Sequence, residues 1–217
     1  MATLPPTRQE LRPGSVGENN LQALYGTSSR AAGFYQRQTI DHLNSRMAAF
    51  VARMELLWVA TADAAGECDC SLRAGPPGFV EVLDPRTLRW PEYRGNGVMA
   101  SLGNITENPH VGLFFVDFTT ALIGLHISGR ARIVDESPPG RMDGAGPVVE
   151  RWVHVAVREA YIHCRKHIPR LVPAPRQQRQ WGTDDTRAKG GDFFGVAAGY
   201  NGQEAPRPYA DDCQARG

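Results

Sequence analysis

The sequence predicts a mainly β fold: a six-stranded antiparallel barrel with helices before it and an extended tail after it. Three observations predict it. Short runs rich in Val, Leu, Ile and Phe follow one another between residues 56 and 166, separated by turn residues. A single short helical pattern interrupts them at residues 97–107. Helical spacing is otherwise confined to residues 17–55, and from Pro169 the chain turns polar and rich in Pro and Gly. Hairpins in succession with one embedded helix imply an antiparallel barrel, whose closure would remove exposed strand edges.

Each element has its own signal. Residues 1–16 hold three prolines and few large apolar residues, and read as a flexible arm. In the helical segment 17–55, Asn20–Tyr25 forms a short helix stopped by Gly26, after which Thr27, Ser28 and Ser29 offer caps. Ala31, Phe34, Tyr35, Ile40 and Leu43 carry a helical spacing through Asp41-His42-Leu43, and Met47, Phe50, Val51 and Met54 extend it. The barrel spans 56–168. Leu56–Ala62 is an apolar β-prone run, and Asp63-Ala64-Ala65-Gly66 turns it into Glu67–Arg73. Ala74-Gly75-Pro76-Pro77-Gly78 breaks that strand, Phe79–Leu83 resumes it, and Asp84–Thr87 turns into Leu88–Trp90. In the embedded helix Val98, Leu102 and Ile105 share one side, and Pro109 ends it.

His110–Phe118 and Ala121–Asp135 are the longest strands of the first half, joined at Thr119-Thr120. Ser137–Pro147 reads as a loop, and Arg151–Lys166 as one more long strand. Residues 169–217 form an extended tail. Its aromatics, Trp181, Phe193, Phe194, Tyr200 and Tyr209, are expected to pack on the barrel or on a second subunit.

Composition narrows the function. The chain has 217 residues, and Lys+Arg 24 against Asp+Glu 23 leaves a net charge of +1. That balance lacks the basic excess of a nucleic-acid or membrane-surface protein. No run approaches the roughly 18 apolar residues of a membrane span, and the start lacks a signal-peptide pattern, so a soluble cytoplasmic protein is expected. The four cysteines, Cys68, Cys70, Cys164 and Cys213, do not make a disulfide framework. Cys68 and Cys70 share one strand face and read as reduced thiols rather than a redox or metal pair. His163, Arg165 and His167 fall on one face of the last strand, in a spacing that matches no zinc pattern, so no metal is expected. Their basic face suits a phosphate or an anionic substrate, or simply solvent. A Gly-x-Ser-x-Gly nucleophile elbow, a Walker A loop and a dinucleotide fingerprint are absent from the sequence.

Two constellations remain. At Arg94-Gly95-Asn96-Gly97 the glycines allow close approach of a phosphate to a helix entrance, and Arg94, Asn96 and Ser101 supply donors. The same residues also describe an ordinary helix capped by Asn96. In Ser71-Leu72-Arg73, followed by Ala74-Gly75-Pro76-Pro77-Gly78-Phe79, Ser71 and Arg73 share a strand face beside a rigid bend. That face can line a flat cofactor, or the segment is a bulge with an exposed Arg.

Taken in order, these motifs resemble the pyridoxamine 5'-phosphate oxidase-like proteins, the flavin-binding split barrels. The resemblance covers about residues 46–167, through Gly66 to Ser71, Gly78-Phe79-Val80, Arg94-Gly95-Asn96, Glu107-Asn108-Pro109, His-Val-Gly-Leu-Phe-Phe and Gly-Arg-Ala-Arg-Ile. It implies a six-stranded split barrel binding FMN at a homodimer interface, and an oxidoreductase of an unidentified small molecule. By position it implies Ser71, Arg73, Gly78, Phe79, Val80, Arg94, Asn96 and Ser101 as cofactor contacts, with Lys166 and Trp181 contributed by the second subunit. The Arg-Lys pair of the vitamin B6 oxidases is replaced by the Arg94–Gly97 turn, and their C-terminal Arg-x-His is absent from Asp211–Gly217. The cofactor therefore carries over and the B6 reaction does not. No residue stands out as acid or base, although His163 and Tyr93 lie in the right segment. Two other readings use the same barrel: a flavin or haem carrier or sensor, with His126, His154, His163 or His167 on the iron, and a reductase using the deazaflavin F420.

Overall fold

A computed structural model of the chain describes residues 13–135, 149–173 and 191–196. Helix α1 (Val16–Leu24) starts at a capping box: Ser15 and Glu18 each accept the other's backbone N–H. Helix α2 (Ser28–Gln38) follows after Gly26. The two-residue strand β1 (Thr39–Ile40) and helix α3 (Ser45–Val51), capped by Asn44, come next. The sheet proper holds β2 (Leu56–Ala62), β3 (Cys68–Ala74), β4 (Glu81–Asp84), β5 (Thr87–Tyr93), β6 (His110–Asp117), β7 (Ile123–Val134) and β8 (Val149–His163). Helix α4 (Ala100–Glu107) sits between β5 and β6, and a 3-10 turn (Arg165–His167) follows β8.

These strands form one antiparallel sheet in the order β3-β2-β6-β7-β8-β5-β4, with β1 also on β8. The fold is of the mainly β antiparallel class expected from the sequence, but eight strands stand among the described residues where six were expected. The Pro76-Pro77 bend separates β4 from β3, and β4 pairs with β5 instead. The ladder is also not closed, since β3 and β4 are its ends and do not pair with each other. The expected loss of both edges is therefore corrected: side chains, not backbone, bridge the gap.

Alternation along the strands sets the layers. On β2, Leu57 and Val59 are fully buried while Trp58 is half-buried on the opposite face. Trp90, Phe115, Leu88, Leu113, Ile127, Val153 and Val155 fill the same interior, and α3 and α4 close it with Val51, Leu102 and Ile105. Each large side chain so buried contributes about 1.5–3 kcal/mol.

Two further expectations are corrected. The helical spacing through residues 39–43 is not a helix: Thr39 and Ile40 pair with Tyr161 and Ala160, and the N–H of buried Leu43 donates to Pro85 O at 2.6 Å. The last strand stops at His163, so Arg165, Lys166 and His167 turn out into solvent rather than extending a strand face. Phe193 and Phe194 meet edge-on and are exposed. The loop 137–147 and Trp181, Tyr200, Tyr209 and Cys213 lie outside the described residues.

Candidate functional site

Strand β3 turns Asp69, Ser71 and Arg73 to one side and exposes Cys68, Cys70 and Leu72 on the other. The shared face of Ser71 and Arg73 read from the sequence is therefore present, and Asp69 joins it. Ser71 Oγ donates to Asp69 Oδ2 at 2.8 Å. Ser101, in the first turn of α4 and buried, donates to the same oxygen at 2.7 Å. The two hydroxyl oxygens lie 3.2 Å apart. These two bonds, the one from Ser101 first, and the nearby Arg73 charge hold the Asp69 carboxyl below the usual carboxylate range.

Farther along the same face, Arg73 Nε donates to Glu92 Oε1 at 2.8 Å. Glu92 is buried, and the same oxygen accepts from Trp90 Nε1 at 2.7 Å. The polar floor thus runs Ser101–Asp69–Ser71 and then Arg73–Glu92–Trp90, from the α4 entrance to β5.

The entrance itself departs from the expected cap. Asn96 Oδ1 accepts from the N–H of Val98 at 3.0 Å, which closes a turn before the helix. The helix cap is Met99, held at φ 57° in the left-handed region, with no side-chain hydrogen bond to the first turn. A non-glycine residue there is strained, a condition that functional turns often retain. Gly97, at φ +84°, has the conformation that glycine adopts without strain, and no neighbouring atom crowds it. Val98 and Met99 are exposed apolar side chains at this mouth, and Arg151 Nη1 reaches Met99 Sδ at 3.6 Å. Arg94 is exposed in the turn.

Other expected contacts sit elsewhere. Phe79 and Val80 are buried core side chains, so only their backbone is available to a ligand. Gly78, at φ +86°, makes the exposed bend before them. Lys166 is exposed on the 3-10 turn after β8. Tyr93 closes β5, and burial raises its hydroxyl pKa. The sequence reading passed over Asp69. Its alternation with Ser71 and Arg73 was the available signal, but its partner Ser101 is distant in sequence.

The outer sheet face carries a second cluster. Phe114 stacks on His126 at 4.4 Å, and His126 stacks on Tyr161 at 4.7 Å between ring centroids. Trp58 flanks Phe114, and Phe34 of α2 meets Tyr161 edge-on. His126 Nε2 and His163 Nδ1 are 3.0 Å apart, so one proton is shared between them. Burial first, then the His163 charge, lowers the pKa of His126. Among the described residues no three of His, Cys, Asp and Glu converge as a metal site. No helix among them is long and apolar enough to cross a membrane.

Several solved structures are similar to this chain. HupZ of Group A Streptococcus is 22% identical over 55% of this chain and 93% of its own, with a TM-score of 0.43. An FMN-binding protein of Syntrophomonas wolfei is 7% identical over 68% of this chain and 97% of its own, with a TM-score of 0.40. HutZ, the haem storage protein of Vibrio cholerae, is 14% identical over 55% of this chain and 94% of its own, with a TM-score of 0.38. No curated protein matches the sequence. The family profile described as pyridoxamine 5'-phosphate oxidase matches residues 43–174, which takes in α3, the whole of β2 to β8 and α4: the chain belongs to that family.

Proposed function

We propose that the protein is a flavin-dependent oxidoreductase of a small molecule, working as a homodimer, with the flavin ring and ribityl chain along the β3 face. The observation that carries this reading is the polar floor of Asp69, Ser71 and Arg73. It lies inside the segment that places the chain in the family, beside the exposed Val98 and Met99. A bound flavin supplies hydride and electron transfer; the chain's part is to orient it and exclude water. The hydroxyl and carboxylate oxygens of β3 suit a polyhydroxy chain and the edge of a heterocycle. The phosphate of FMN fits less well at the α4 entrance, because the Ser71 and Ser101 protons already point at Asp69.

A second subunit would cover Val98 and Met99, apolar groups that a lone chain leaves in water. F420 has less support, since α4 carries no Lys or Arg for an anionic tail. Haem ligation by His126 or His163 would have to use the ring nitrogen outside their mutual contact, His126 Nδ1 or His163 Nε2. The purified protein decides the reading by its visible spectrum and by titration with riboflavin and FMN. Flavin absorption or saturable flavin uptake is expected, whereas a colourless protein that takes up neither flavin would sink it. Sedimentation then reports whether two chains associate.

A further inference from the structure

We propose that Asp69 bars phosphate from the entrance of α4, so that this protein selects its flavin by ring and ribityl chain and gains nothing there from a phosphate. The proposal rests on the flavin reading above and specifies which flavin chemistry the site takes.

The carboxylate occupies the place a phosphate would need. Both hydroxyls that could donate to a phosphate, Ser71 and Ser101, donate to one oxygen of Asp69 at 2.8 and 2.7 Å. A phosphate oxygen accepting from Ser101 would sit within about 6 Å of that oxygen, given an ordinary hydrogen-bond length on each side of the hydroxyl. Like charges at that range repel, and more strongly in a half-buried site than in open water. Those hydroxyl bonds also favour the ionised carboxylate, so the repelling charge persists through the neutral range.

Arg73 and, in the exposed turn before the helix, Arg94 bring positive charge to this region, but neither belongs to α4 itself. Helix α4 reads Ala-Ser-Leu-Gly-Asn-Ile-Thr-Glu and has no Lys or Arg. Arg73, the cation on the same strand face, already bonds Glu92. Arg151, which reaches the Met99 cap, lies 3.7 Å from the Glu150 carboxylate. The favourable field of a helix start, which elsewhere holds a ligand's phosphate, acts here on a carboxylate belonging to the chain.

The test compares riboflavin with FMN, which differ only in the phosphate, on the full chain and on Asp69→Asn. The Asn keeps an acceptor for the serines and removes the charge. The wild type is expected to bind the two flavins within about threefold of each other, and Asp69→Asn to bind FMN at least about tenfold more tightly than it binds riboflavin. A wild-type preference for FMN beyond about threefold, or an unaltered ratio in the variant, overturns the proposal.

If neither flavin binds either protein, the flavin reading fails, and inorganic phosphate still decides the role of Asp69. In that case the backbone amide resonances of Ala100–Gly103 are followed by NMR during phosphate titration. They are expected to stay fixed in the wild type and to shift to saturation in Asp69→Asn. Shifts in the wild type, or none in the variant, overturn the proposal. Should Asp69→Asn fail to give a folded amide spectrum, Asp69→Ser replaces it in both measurements.

Discussion

Arg73 on β3 and Glu92 on β5 join strands that share no backbone ladder: guanidinium Nε and carboxylate Oε1 meet at 2.8 Å across the gap in the sheet. Both side chains are largely buried, and Glu92 has Trp90 Nε1 as its other partner. Removing Arg73 leaves a buried carboxylate with one neutral donor. Arg73→Met is expected to lower stability by about 2–3 kcal/mol, somewhat below the range for wholly buried pairs because Arg73 keeps some contact with water. Glu92→Gln retains an acceptor for both donors and is expected to cost about 1 kcal/mol. Urea denaturation of the two variants checks the order of the effects.

Burial and its histidine partner give His126 a pKa below the ordinary 6.5. The unfolded chain therefore binds this proton more readily than the folded one does. Stability is full above about pH 6.5 and falls as the pH drops from there towards the folded pKa. His126→Phe keeps a ring between Phe114 and Tyr161 and removes the titration. The urea midpoint of the wild type is expected to fall between pH 7.5 and 5.5 by more than that of the variant.

Asp117 closes the β6–β7 hairpin. Burial pushes its carboxyl up, but the N–H groups of Thr120, Ala121 and Thr119 and the Thr119 hydroxyl outweigh that and lower its pKa to about 2. A depressed carboxylate stabilises the fold above its unfolded pKa, and the contribution is lost as the pH falls through the folded one. Asp117→Asn is expected to cost about 2 kcal/mol at neutral pH. The gap between variant and wild type should narrow between about pH 4 and pH 2. Thermal or urea melts at four pH values measure this.

Gly124 lies against the outer aromatic face. A Cβ there would stand 2.9 Å from His163 Cβ and Phe114 Cε2 and 3.0 Å from Phe115 O. The backbone oxygen cannot yield readily. Gly124→Ala is expected to destabilise by about 1–3 kcal/mol and to disturb the His126–His163 contact. Melting, together with the histidine ring resonances in NMR, reports both effects.

Where chain-local chemistry decides, the sequence was enough. Leu56–Ala62 was read with the bounds the structure gives, because its continuous β-prone run ends at a turn and its flanks carry no competing pattern. The helix that Pro109 ends and the long strands on either side of Thr119 were legible for similar reasons. Residues 39–43 were not. Ile40 and Leu43 stand three apart and continue the loose helical spacing of Ala31, Phe34 and Tyr35, but pairing with β8 and the bond to Pro85 O come from distant segments. The site was half legible. Ser71 and Arg73 followed from alternation, whereas Asp69 drew no notice between two cysteines, and its link to Ser101 exists only once α4 folds over β3. Asn96 looked like a cap because its residue type favours one, yet the turn it closes delays the helix to Ala100.

Strand β8 has a consequence for how quickly the chain assembles. It pairs with β7, β5 and β1, so the sheet cannot complete until this late segment arrives. Its ladder with β5 runs from Thr87↔Ala156 to Tyr93↔Val149, partners more than fifty residues apart. Such pairings must close a long stretch of chain before any bond is gained, which slows folding. Until β8 docks, β5 and β7 each lack a neighbour on that side. During synthesis, the segment that carries the Asp69 floor therefore emerges early and waits, incompletely covered, for a strand made much later.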